Sequence, residues 1–281
     1  MQLKRYELGA RRSGIFAIAS VVITLALLSV PARAFISDYR YGSVQTILDD
    51  ADTEALDAVS ISTKSIPAFM AAVEQLKAAS AMEPSRALYH KARGDIYFKL
   101  GNWAQAMRLA DAELPPGALQ AEEAFESASA EFRRAIELEP LDPHNHLAMG
   151  MLLDAAAAVP ELSEKEYGKA ADAFPVNAPI RYAIAQQYLL TGRTGNALEQ
   201  ARILAALDDT YKLPSGTDKK MTIERMDRRY QTQLSRSYLF HALEIAWRVS
   251  KDPQVVKGIT PDNDEAREVL ALFFEWNDID G

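Results

Sequence analysis

One helix ending recurs along this chain, and it narrows the possible folds more than any other feature. Ala72, Leu76, Ala79 and Pro84 stand at offsets 0, 4, 7 and 12; Ala128, Phe132, Ala135 and Pro140 repeat that spacing. Tyr167, Ala170 and Pro175 repeat its last three terms. Residues three and four apart share one side of a helix, and a proline cannot continue the helix. Two lead-ins nearly coincide, Leu76-Lys77-Ala78-Ala79-Ser80-Ala81-Met82-Glu83-Pro84 and Phe132-Arg133-Arg134-Ala135-Ile136-Glu137-Leu138-Glu139-Pro140. Alanine is common and β-branched runs are rare after residue 35. Together these features predict an all-α fold assembled from repeated helix pairs.

The helices before these endings carry a second regularity. Counting from Ala87 as position one, Gly94, Tyr97, Gly101 and Ala106 fall at 8, 11, 15 and 20. Counting from Ala178, the residues Ala185, Tyr188, Gly192, Ala197 and Ala201 fall at 8, 11, 15, 20 and 24, and from Pro143, Gly150 falls at 8. This pattern, with its closing proline, resembles the tetratricopeptide-repeat (TPR) family. Small residues there let two helices approach, an aromatic at position eleven fills the gap, and a glycine near fifteen permits a left-handed turn. The resemblance implies a TPR helical-hairpin solenoid of about four degenerate repeats over residues 35–211, with a C-terminal helical cap over 212–281.

The departures are specific. An insertion near 107–127, containing Leu114-Pro115-Pro116-Gly117, splits the repeat that starts at Ala87. The repeat from Pro143 carries about one extra residue near 157–160, and the unit from Thr53 to Arg86 has a poor first helix. His90, His146 and Arg181 replace the family's tryptophan at position four. Beyond Asp209 the register is lost. A loop over Lys212 to Asp218 precedes an expected helix from Thr222 to about Val249, with a core stripe of Ile223, Met226, Tyr230, Leu234, Tyr238, His241, Ile245 and Val249. Pro253 and Pro261 bracket a connection, and Asp262 or Asn263 can cap a last helix holding Val269, Leu270, Leu272, Phe273 and Phe274. Solenoids need a cover for the last repeat's apolar face, and this tail is the natural candidate.

Residues 1–34 differ from everything after them. Lys4, Arg5, Arg11 and Arg12 precede an uncharged stretch from Ser13 to Ala32. A basic flank favours leaving the N-terminus in the cytoplasm and sending the rest outwards, and the stretch is close to the length that spans hydrocarbon. The competing expectation is cleavage at Ala34, because Ala32-Arg33-Ala34 has the small-x-small pattern of a signal-peptidase site. The retained reading is a single-pass anchor in a bacterial inner membrane with the body in the periplasm; the alternative is a soluble periplasmic protein. Residues 1–34 hold five of the 31 Lys/Arg and one of the 39 Asp/Glu, so the body carries 26 basic and 38 acidic residues, a balance of −12. A body so acidic is a poor polyanion binder, and no nucleic-acid partner is expected.

Few residues offer chemistry. The chain has no cysteine, which removes thiolate metal sites and cysteine nucleophiles. No Gly-x-Ser-x-Gly elbow and no Gly-x-x-x-x-Gly-Lys-Ser/Thr or Gly-x-Gly-x-x-Gly loop occurs. His144 and His146 are two apart at a predicted helix start, where their side chains diverge. The expectation is a binding protein, not an enzyme, with no cofactor and no metal. In the TPR family the first helix of each pair lines a concave groove. Carried over position by position, the partner-binding residues are Leu88, Lys91, Asp95 and Phe98, then His144 and Met151, then Tyr182 and Gln186. Asp95 stands where the family's carboxylate-gripping members place asparagine, so the groove suits a helix or extended peptide better than a C-terminal carboxylate. Anchored TPR proteins of similar layout accompany other envelope proteins, including surface-polysaccharide polymerases and ligases. The alternative is a small ligand or glycan held in the concave face, near Tyr89, Tyr97, Phe98 and Tyr182.

Overall fold

A computed structural model describes residues 33–44, 46, 65–156, 159–209, 211 and 236–279. Among the described residues the chain is all-helical, with no strand. It divides into two compact units, Met1–Glu139 and Pro140–Gly281.

The first unit holds helix α1 over 33–44, α2 (Ser65–Met82), α3 (Ala87–Leu109) and α4 (Ala121–Leu138). α2 packs against α3, and α3 against α4. Phe69, Ala72, Val73, Leu76 and Ala79 form the buried stripe of α2, and Ala124, Phe125, Ala128, Phe132 and Ala135 that of α4. Both helices stop two residues short of their prolines, as the recurring spacing predicts. Phe132 and Phe125 reach α3 through its two glycines. A Cβ added at Gly101 would stand 2.5 Å from ring carbons of Phe125, and one at Gly94 would collide with Phe132. A ring seated directly on a glycine leaves no room for a side chain there and fixes how the two helices lie side by side.

The insertion near 107–127 is not a loop between two ordinary helices. α3 runs on through Gly101 to Leu109, burying Trp103 and Ala104, and α4 begins seven residues before Ala128. The turn expected at Gly101 is therefore absent. The chain reverses later, at Asp111 with φ of 54°, and again at Gly117 with φ of 83°. Helix over 33–44 was also not expected; it docks through buried Ser37 and Val44.

The second unit begins with two hairpins, α5 (Pro143–Ala156) on α6 (Pro160–Ala173) and α7 (Ala178–Leu190) on α8 (Thr194–Leu207). Gly150 lies against Tyr167 so closely that a Cβ there would collide with the ring. Asn177 caps α7 by accepting from the Ile180 N–H at 3.1 Å. Gly192 adopts φ of 73° and closes α7 as the register requires, with Gly192 N–H donating to Leu189 O and Arg193 N–H to Tyr188 O.

The tail continues the same core. α9 (Tyr238–Ser250) packs against both α7 and α8, α10 (Pro253–Ile259) against α8 and α9, and α11 (Asp264–Trp276) against α9. One buried cluster runs from Tyr167 through Ile184, Leu204, Leu243 and Val256 to Phe273. Asn263 caps α11, accepting from the Ala266 N–H at 2.8 Å. Three expectations need correction. The helix from Thr222 to Val249 is not continuous, since Arg236 and Ser237 are non-helical and the buried Ser237 hydroxyl caps a new start by accepting from the Phe240 N–H. Its stripe holds only in part: Ile245 is buried as expected, but Tyr238, His241 and Val249 are half-buried, while Leu239, Ala242, Leu243 and Ala246 are fully buried. Pro253–Ile259 is a short helix, not merely a connection. The stripe residues Ile223, Met226, Tyr230 and Leu234, the extra residue near 157–158, and most of the first helix from Thr53 lie outside the described residues. So does the apolar run 13–32; among the described residues no helix is long and apolar enough to cross a membrane.

Candidate binding surface

The eight expected groove residues divide equally between the two units. In the first unit, Leu88, Lys91, Asp95 and Phe98 are all half-buried on α3. Lys91 donates to Asp95 one helical turn on, at 2.7 Å. That pair already engages the Lys91 ammonium. Phe98 turns partly inward, its ring 6.2 Å from that of Phe125 on α4.

In the second unit, His144 and Gln186 are exposed and Met151 and Tyr182 half-buried. The structure adds two residues from α9 to this surface. His241 stacks on Tyr182 with centroids 4.8 Å apart and planes at 27°, and Tyr238 stands edge-on to Tyr182 at 6.1 Å. Gln186 donates to the Tyr182 hydroxyl. Burial, followed by the negative charge of Glu244, pushes the Tyr182 phenol above its ordinary value, so it stays a neutral hydrogen-bonding group. Tyr182, Tyr238, His241 and Gln186 thus make a half-exposed aromatic patch where α9 lies beside α7. Sequence reasoning placed Tyr238 and His241 in the core because α9 follows no repeat register. No sequence signal separated them from the core, because the spacing of three that relates them is the spacing of the stripe itself.

Other expected surface residues are occupied structurally. Tyr89 and Tyr97 are buried in the first core, which removes them from any ligand face. Asp154 ion-pairs with Arg193 and accepts from the Tyr167 hydroxyl at 2.7 Å. Arg193 also donates to Ser163 at 2.9 Å and lies 4.7 Å over the Tyr188 ring. Burial, reinforced by Asp154, drives the Tyr167 phenol far above its ordinary value. One arginine in the α7–α8 turn therefore fastens that hairpin to the one before it.

The position-four replacements share a single role. His90 Nδ1 lies 2.8 Å from Glu131, His146 Nδ1 lies 2.7 Å from Glu166, and Arg181 donates to Gln200 at 3.2 Å. Glu131, Glu166 and Gln200 each stand three residues after Ala128, Ser163 and Ala197, the matching places of their helices. A polar latch thus links the two helices of each hairpin where the TPR pattern has a packing tryptophan. The latch is elaborated in two of them. Arg93 donates to Glu131 at 2.7 Å and to Ser80 at 3.1 Å, and His146 Nε2 stands 2.9 Å from Pro140 O. Burial alone raises the Glu166 carboxyl, but hydrogen bonds from Lys169 and His146 outweigh it and hold the group below its ordinary value. His144 points away from this latch into solvent, so the His144–His146 pair does not converge.

Compared with known proteins, the chain matches no family model, and no curated protein matches it.

Proposed function

We propose that this protein is a TPR-like scaffold, anchored in a bacterial inner membrane by residues 13–32, whose periplasmic body binds another envelope protein. The observation that carries the binding part is the half-exposed patch of Tyr182, Tyr238, His241 and Gln186. Aromatic side chains that pack on the core by one side and stay partly exposed on the other, with polar groups at the rim, suit an amphipathic helix or extended peptide. Hairpins paired through Gly94–Phe132 and Gly150–Tyr167 support the TPR assignment, as does the register of residues 87–201. The basic flank before the apolar run supports the anchor. By analogy of architecture, a surface-polysaccharide polymerase or ligase is the kind of partner this layout accompanies.

Photo-crosslinkers at Tyr182 and Gln186, in the full chain expressed in bacterial envelopes, test the reading. The expected result is one dominant, stoichiometric adduct with an envelope protein, absent when the crosslinker is moved to exposed Glu199 on α8. Equal, diffuse labelling at all three positions would remove the patch from the function. The same aromatic stack also fits the flat face of a sugar ring, so a glycan-binding, cleaved form is the second reading. A mature N-terminus at Phe35 would favour it over the anchored one.

A further inference from the structure

Helix α1 has two opposed faces, and only one is accounted for by the protein body. Ser37, Asp38, Tyr41 and Val44 fall on one side at helical spacing. Ser37 and Val44 are fully buried; Asp38 ion-pairs with Arg86; the Tyr41 and Tyr89 rings lie 6.0 Å apart. The Ser37 hydroxyl donates to the Ala34 carbonyl at 2.9 Å, and next to this face Glu83, Arg86 and Tyr89 hydrogen-bond to one another at the start of α3. Phe35, Ile36 and Tyr39 fall on the other side, and they are 74%, 42% and 73% exposed. An aromatic–aliphatic face so open would ordinarily be covered by something.

The chain itself indicates what covers it. The apolar run ends at Ala32, and Phe35 follows three residues later. Tyr at the end of such a run sits at the headgroup level of a bilayer, and Phe is among the apolar residues that interfacial helices bury at that boundary. Arg33 and Arg40 lie at one edge of the exposed arc, with charge complementary to anionic headgroups. Phe35 and Tyr39 are one turn apart, about 6 Å along the axis, and the headgroup layer on each side of the hydrocarbon is about 5–7 Å thick.

We propose that Phe35, Ile36 and Tyr39 are immersed in the lipid–water interface, so that α1 is a rigid elbow holding the first unit in one orientation against the membrane. The inference rests on the anchored reading of residues 13–32, and it adds that the tether is not a free linker. The elbow is fastened on its inner face by Asp38–Arg86 and buried Ser37 and Val44, and on its outer face by lipid.

The absence of cysteine makes the test direct. Phe35→Cys, Tyr39→Cys and, as a control in the same unit, Leu109→Cys are each labelled with an environment-sensitive fluorophore. The full-length chain is reconstituted into vesicles of phosphatidylcholine and phosphatidylglycerol, with and without nitroxide-bearing lipid. The expected result is blue-shifted emission at 35 and 39, quenched severalfold more by the nitroxide lipid than emission at 109. Protein that floats with the vesicles while all three labels behave alike would overturn the elbow and leave the anchor standing. Blue-shifted labels that nitroxide lipid does not quench would also overturn it, since the face would then be covered by protein, such as a second copy. Protein that fails to float with vesicles would overturn the anchor and the elbow together.

Discussion

The hairpins α3/α4 and α7/α8 begin in the same register and end their first helices at different places in it. Both finish in the same closed turn. Ala112 N–H donates to Met107 O and Asp111 N–H to Arg108 O in one, as Arg193 N–H does to Tyr188 O and Gly192 N–H to Leu189 O in the other. The left-handed residue of the turn is Asp111 in the first hairpin and Gly192 in the second. Gly101, which occupies Gly192's place in the register, is spent on a close approach to Phe125 instead. A glycine permits a helix to stop, but the residues after it decide. Trp103 and Ala104 follow Gly101 and find buried places on α3, so the helix continues; Thr194, Gly195 and Asn196 follow Gly192 and are exposed. The residue after the turn differs too, for Ala112 is exposed while Arg193 is held by Asp154, Ser163 and two tyrosine rings.

Four substitutions break or sharpen that contrast. The largest effect belongs to Arg193→Met, which leaves the Asp154 carboxylate buried without its cation and is expected to cost about 3 kcal/mol. Denaturant melts of the full chain measure it, and an unchanged midpoint would mean that the α7–α8 turn is not fastened to α5 and α6. Gly101→Leu comes next. It gains about 1 kcal/mol of helix propensity but must displace the Phe125 ring, for a net loss of about 1–2 kcal/mol. If Gly101 were a turn, as its register implies, the variant would instead shorten α3, and hydrogen exchange at Trp103 to Leu109 distinguishes the two.

Gly192→Ala follows, with a loss of roughly 1 kcal/mol from forcing a Cβ into the left-handed region; Gly192 has open space around it, so crowding contributes nothing. The smallest effect has the opposite sign. Asp111→Gly relieves the left-handed non-glycine residue and is expected to raise stability by roughly 0.5 kcal/mol. A loss at position 111 would show that the aspartate contributes more than its backbone strain costs.

Much of the fold was legible in the sequence, and particular residues explain why. Pro84, Pro140 and Pro175 stop helices through their own covalent geometry, and Asn263 starts one through a single local hydrogen bond. Such signals act within a few residues and do not depend on what packs nearby. Positions eight of the register, Gly94 and Gly150, were legible as close approaches for the same reason. The candidate surface was less so. Tyr182 and Gln186 were reached by register, but their partners Tyr238 and His241 belong to a helix outside it. Phe98 held a groove position and proved to be engaged with the body. Whether a half-apolar side chain faces a groove or a neighbouring helix depends on a few tens of degrees of helix rotation, which periodicity does not resolve.

The chain by itself determined its helical class, the starts of α3, α5 and α7, the proline stops, and the contrast between residues 1–34 and an acidic body. Each of these is a statement about neighbours in sequence. Tertiary structure decided the rest: that α3 outruns its glycine, that α9 completes the second core, and that His90, His146 and Arg181 latch onto Glu131, Glu166 and Gln200. Those outcomes turn on contacts between residues 19 to 41 apart in sequence in the latches. Local propensity is too weak to choose among such arrangements, and burial of whole helix faces chooses for it.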